Sequence, residues 1–131
     1  WQHVDLVNGY LTVIASNSKS GQGRHIPLNN EAKTVLSNWL ADTDDSGFVF
    51  KGLDNKPLTD IKRTWNTLLT EAKIDNFRFH DLRHHFASKL VMAGVDLNTV
   101  RELMGHSDLK MTLRYAHLAP EHKAAAVNLI G

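Results

Sequence analysis

Between His80 and Tyr115 the chain reads HDLRHHFASKLVMAGVDLNTVRELMGHSDLKMTLRY. His80 and Arg83 are three residues apart, so on a helix they share a face and can point at one small target. Phe79 ends an extended-looking Phe-Arg-Phe run, and a helix is expected to begin at His80. Asp81 in its first turn suits the positive end of the helix dipole. A helix start carrying an imidazole and a guanidinium suits a phosphate. Gly105–His106 follows, and Tyr115 comes nine residues after His106. The positions between read as structural. Leu82, Phe86 and Leu90 recur every four residues, and Leu97, Val100, Leu103 and Met104 form a second apolar stripe. Two helices therefore fold the chain back, so that a His and a Tyr can reach the same phosphate. Taken singly, each residue has a plain structural reading: a cap, a salt bridge, a half-buried aromatic. The ordered set is what carries the chemistry.

These boxes closely resemble the carboxy-terminal catalytic motif of the tyrosine recombinases, or phage-type integrases. That family sets a His-x-x-Arg box, a later Gly-His and a nucleophilic Tyr at about this spacing, here His80-Asp81-Leu82-Arg83, Gly105-His106 and Tyr115. HDLRH, ELMGHS and YAHL are similar to the family as well, and the resemblance runs from Trp1 to about Ala119. It implies that Tyr115 attacks a DNA phosphodiester, giving a 3′-phosphotyrosyl link and a free 5′ hydroxyl. Arg83 and His106 would hold the non-bridging oxygens, whose charge grows in the transition state. His80 would assist proton transfer at Tyr115. Lys19, in Lys19-Ser20-Gly21, matches the family's β-hairpin lysine, the general acid for the leaving 5′ oxygen. Because the covalent bond keeps the phosphoester energy, no cofactor is required, neither ATP nor a metal. Reversal onto a second strand gives recombination or integration. The family uses a further arginine, upstream of a strand that Trp1-Gln2-His3-Val4-Asp5 resembles, and an amino-terminal DNA-clamping domain. Both are expected to lie before Trp1, so residues 1–131 read as an incomplete catalytic domain with five of the six usual site positions, impaired as a fragment.

The elements that must position these residues read as an α+β fold, mainly α, with a small three-stranded antiparallel sheet packed on a helical bundle. Val4–Val7 is a short strand, Asn8-Gly9 a two-residue hairpin turn, and Tyr10–Ala15 a second strand. The polar SNSKSGQG stretch is a loop with Lys19 at its tip, lacking the order of a nucleotide-binding P-loop. Arg24–Leu28 is the third strand. Residues 30–41 form a helix capped by Asn29 or Asn30, with Ala32, Val35, Leu36, Trp39 and Leu40 assigned to the core. An acidic loop, ADTDDSG, should stay away from a DNA backbone. Phe48–Phe50 is a candidate strand, and Thr59 caps a helix with the stripe Ile61, Trp65, Leu68, Leu69 and Ala72. Ser20, Arg24, Lys62 and Arg63 are candidate phosphate contacts, with a solvated face as the ordinary fate of such charges. Pro120 suits a first helical position, and Ala124–Ile130 is an apolar helical tail. The tail's ordinary role is packing on its own domain; by resemblance it docks on a neighbouring protomer.

Composition sets the bounds. The 131 residues suffice for one core, hydrophobic content is 42%, and net charge is +1, so any basic surface comes from placement rather than excess. There are no Cys, which excludes disulfides and thiolate zinc sites. No signal peptide or membrane-length apolar run is visible. The resemblance implies double-stranded DNA as the partner, no membrane, and a bacterial or phage cytoplasmic setting. Two rivals stand beside this reading. One is a catalytically silent DNA-binding or assembly fragment of the same fold. The other is a metal hydrolase with His80, His84 and His106 as ligands, although Asp81 stands where a zinc-protease motif has Glu.

Overall fold

The computed structural model describes residues 1–15, 23–43, 47–52, 54–121 and 123–130. The chain divides into two units, Trp1–Leu68 and Leu69–Gly131. Mainly helical with one small sheet, it has the expected α+β class.

The first unit begins with an antiparallel sheet in the order β1 (Val4–Asp5), β2 (Tyr10–Val13), β3 (Arg24–Pro27). Its register pairs Val4 with Leu11 and Leu11 with Ile26, so these apolar residues share one face. The first turn differs from the expected two-residue hairpin. Asp5 pairs with Tyr10, leaving a four-residue loop. Asp5 accepts from both the backbone and side-chain nitrogens of Asn8, at 2.8 Å each, and this holds its carboxyl below the ordinary range. Gly9 takes the positive φ, +78°, and this, rather than any crowding, is what favours glycine there. The local side-chain bond thus competes successfully with a tight turn.

Helix α1 (Asn30–Asp42) starts where Asn29 Oδ1 accepts from the Ala32 N–H at 2.8 Å. Its apolar stripe is not core. No residue of α1 is buried, and Val35 and Trp39 are exposed. Trp39 instead donates to the Val49 carbonyl at 2.8 Å and meets the Phe50 ring. Phe48–Phe50 forms no strand; next to it lie the isolated bridge between Lys51 and Pro57 and a hydrogen bond from the Leu58 N–H to the Phe50 carbonyl at 3.0 Å. Helix α2 (Lys62–Ala72) starts later than expected, with Asp60 rather than Thr59 accepting from the Lys62 N–H.

The second unit contains α3 (Asp81–Met92), α4 (Leu97–Met104), α5 (Lys110–Leu113), a 3-10 turn (Ala116–Leu118) and α6 (Lys123–Asn128). Its core is Ala87, Val91, Val100, Met104 and Tyr115, with Leu90, Val95, Leu97 and Leu118 against it. On α3 the expected stripe is displaced: Leu82 and Phe86 are exposed, while Ala87 and Val91 are buried. Val100 and Met104 are buried as expected. Helix α6 begins after Pro120 at Lys123 and ends at Asn128, short of the expected Ile130; Val127 on it and Leu129 and Ile130 after it are exposed rather than packed. No helix among the described residues is long and apolar enough to cross a membrane.

Candidate active site

The site in the second unit is built by two helix ends and the segment that follows them. Helix α3 starts at Asp81, one residue later than expected. His80 occupies the capping position without a side-chain cap bond. The fastening comes from Asp81, whose carboxylate accepts from the Arg78 backbone N–H at 2.8 Å and from its guanidinium at 2.8 and 3.2 Å. The hydrogen bonds from Arg78 lower the Asp81 pKa to about 2. This pair fixes the first turn, from which His80, Arg83 and His84 project.

Both α3 and α4 end in the same left-handed motif. Gly94 donates to Val91 at 2.9 Å and Val95 to Leu90 at 3.1 Å, with Gly94 at φ +83°. Asp96 then caps α4 by accepting from the Asn98 and Thr99 N–H groups. At the far end Gly105, at φ +66°, donates to Glu102, and His106 donates to Arg101, both at 3.0 Å. The pairing of Gly105 with His106 thus has a backbone cause. A left-handed residue is needed to stop the helix, and the residue after it is aimed by that turn.

Arg83 reaches this same end, its guanidinium donating to the Met104 carbonyl. The His-x-x-Arg box and the Gly-His box are therefore joined directly. His106 is buried, and its Nδ1 lies 2.8 Å from Oγ1 of the fully buried Thr112. Burial lowers the His106 pKa first, and the positive fields of Arg83, Arg114 and His84 lower it further. Both effects favour the neutral ring. When Thr112 donates to Nδ1, Nε2 carries the proton and can donate to a phosphate oxygen. Arg101 also donates to the His106 carbonyl, at 3.4 Å.

Tyr115 follows α5, its N–H donating to the Thr112 carbonyl at 3.0 Å. The ring lies in the core at 6% exposure, and the hydroxyl lies 2.6 Å from His84 Nδ1. His80 is exposed and sets its ring edge-on to that of His84, with centroids 5.3 Å apart. The imidazole at the phenol is thus His84, with His80 beyond it.

The second unit therefore brings together the surroundings of Arg83, His106 and Tyr115, with His80 linked through His84. Lys19 and Ser20 lie outside the described residues. Arg24 is half-buried on β3, where its Nε has no hydrogen-bond partner among the described residues, and Lys62 and Arg63 are exposed on α2. Among the described residues no three of His, Cys, Asp and Glu are grouped to hold a metal. Sequence reasoning missed Thr112 and Arg114 at the site. Its only signal for Thr112 was a position three residues before Tyr115, which one helical turn converts into a contact with the backbone.

Residues 1–122 match the model of the phage integrase family. The integrase of Salmonella phage P22 is 35% identical over 93% of this chain and 34% of its own length. Tyrosine recombinase XerA of Pyrococcus furiosus is 31% identical over 99% of this chain and 49% of its own. The chain thus spans between a third and half of the length of these relatives. Among solved structures, the catalytic domain of bacteriophage HP1 integrase aligns with a TM-score of 0.72 and 29% identity, over 97% of this chain and 67% of that one. At 20% identity the integrase of transposon Tn1549, solved with circular intermediate DNA, shares the fold, with a TM-score of 0.71 over 99% of this chain and 52% of that one. This chain belongs to the phage integrase family, the tyrosine recombinases, and its fold is that of their catalytic domains.

Proposed function

We propose that the protein cleaves and rejoins double-stranded DNA in site-specific recombination or integration, with Tyr115 as nucleophile. The observation that carries this reading is the junction of Arg83 with the end of α4, beside a buried His106 whose neutral form is favoured and a Tyr115 hydroxyl already held by an imidazole. A free phenol titrates near pH ~10 and is about 0.1% ionised at neutral pH, so the nucleophile needs such a partner. Arg83 and His106 stabilise the phosphorane-like transition state through its non-bridging oxygens. His80 assists proton transfer around Tyr115. Lys19 protonates the leaving 5′ oxygen, and Ser20, Arg24, Lys62 and Arg63 add backbone contacts. The exposed Val127, Leu129 and Ile130 support docking of the tail on a neighbouring protomer on DNA.

A nicked suicide duplex traps the phosphotyrosyl adduct for gel analysis. The chain extended upstream through the arginine segment forms the adduct, and Tyr115→Phe in that protein abolishes it. Residues 1–131 alone form it at least about 10²-fold more slowly, the typical effect of removing one charged transition-state contact. An adduct that survives Tyr115→Phe names a different nucleophile.

A further inference from the structure

We propose that His84, the residue directly after Arg83, accepts the phenolic proton of Tyr115 as it attacks. The inference rests on Tyr115 being the nucleophile and adds the group that activates it. The Tyr115 hydroxyl and His84 Nδ1 are 2.6 Å apart, within the reach required of a general base. The two rings are also in contact, with centroids 6.1 Å apart. Nδ1 accepts from the hydroxyl only when the imidazole is neutral and its proton sits on Nε2. His84 is half-buried on α3 and Tyr115 is fixed in the core, so neither side chain must move to form the bond.

A buried tyrosine hydroxyl ordinarily has some partner. What sets this one apart is its company. The acceptor is titratable, and it sits one residue from Arg83 and close enough to His106 to bear on its charge. His80 meets its ring from the exposed side, and the Asp81 carboxylate interacts with it electrostatically. Among the described residues, His84 thus interacts with His80 and Asp81 from its own helix region, His106 from the turn after α4, and Tyr115, with Arg83 next to it in the chain. A carboxylate among them favours the imidazolium that proton transfer creates. In the step itself, a bond forms between Tyr115 Oη and the scissile phosphorus as the bond from phosphorus to the 5′ oxygen breaks. The phenolic proton passes to His84 Nδ1, and the leaving oxygen takes a proton from Lys19. On religation the imidazolium returns its proton to the phenol.

The test uses the protein extended upstream of Trp1 and a suicide duplex with a bridging 5′-phosphorothiolate. Its thiolate departs without a proton, so the rate of adduct formation reports the phenol step alone. His84→Asn keeps an acceptor oxygen near the position of Nδ1 but cannot carry the proton. The expected result is a fall of about 10²-fold or more in His84→Asn. The wild-type rate should rise with pH as the base loses its proton, and this rise should be absent in the variant while duplex binding is unchanged. A His84→Asn rate within about threefold of wild type, or above it, overturns the proposal; an increase would make the bond a restraint on the nucleophile. If His84→Asn loses its cooperative unfolding transition, the wild-type profile decides, because a rate that does not change with pH also overturns it. Adduct formation by Tyr115→Phe is a separate outcome, which sinks the nucleophile and with it the role of His84.

Discussion

Among the described residues, Trp1–Leu68 buries no hydrophobic side chain, whereas Leu69–Gly131 holds Ala87, Val91, Val100, Met104 and Tyr115 in one core. The first unit is ordered by hydrogen bonds: the ladder of β1, β2 and β3, the Asp5–Asn8 turn and the Asn29 cap. The second is ordered by packing, and its candidate nucleophile is part of what is packed. The difference matters for catalysis. A group that must meet a phosphorus atom within a few tenths of an ångström gains from neighbours that cannot move independently.

The contrast can be broken most directly with paired valines. Val91→Ala removes two methyl groups from a fully buried position and should cost roughly 2–3 kcal/mol. Val35→Ala, on the exposed face of α1, should change stability by less than about 0.5 kcal/mol. Urea unfolding of both variants compares them, and equal effects would erase the distinction between the units.

A smaller effect is expected at the buried polar pair. Thr112→Val leaves His106 Nδ1 without its partner and should cost about 1–2 kcal/mol, with Thr112→Ser recovering much of the loss. The His106 contribution also has a definite sign. Its folded pKa lies below the ordinary value, so the unfolded chain binds the proton more readily. Its contribution is complete above the ordinary imidazole range and is lost as pH falls through the lowered folded value. Unfolding midpoints measured between pH 8 and pH 5 should therefore drop toward acid, on the order of the imidazole range. A midpoint rising toward acid would reverse the assignment.

The smallest effect should come from Asp81→Asn, which weakens the fastening of α3 to Arg78. Asp81 titrates at about 2 in the folded chain, below the ordinary carboxylate value. Its contribution is present above that ordinary value and disappears as pH falls through about 2. Wild type and variant should thus differ in unfolding midpoint at neutral pH and converge in strong acid. A constant difference down to the lowest pH would mean that the Arg78–Asp81 pair is not its source.

How much was legible in the sequence differs by residue. Asn29 announces a helix start because a short polar side chain satisfies nearby N–H groups wherever it occurs. Gly105 was legible only as part of the Gly-His box; the structure adds that it ends α4 in a left-handed turn that favours a residue without a Cβ. The order of Arg83, Gly105–His106 and Tyr115 announces the family because spacing along the chain sets which turn each side chain leaves from. Periodicity misled on α1 and on part of α3, since a stripe states which residues share a face but not whether anything covers it. Val35 and Phe86 lie on such stripes and remain exposed, while Ala87, too small to mark a stripe, is fully buried.

The sequence by itself determined the helix boundaries set by local bonds, and the candidate chemistry of an arginine, a histidine and a tyrosine at this spacing. Only the tertiary structure decided that Arg83 meets the Met104 carbonyl, that Thr112 partners His106 and that His84 stands at the Tyr115 hydroxyl. Those contacts span separations of twenty-one, six and thirty-one residues. Caps and turns are energies of a few neighbouring residues, whereas these contacts depend on where whole helices come to rest, which is set by burial summed over the core.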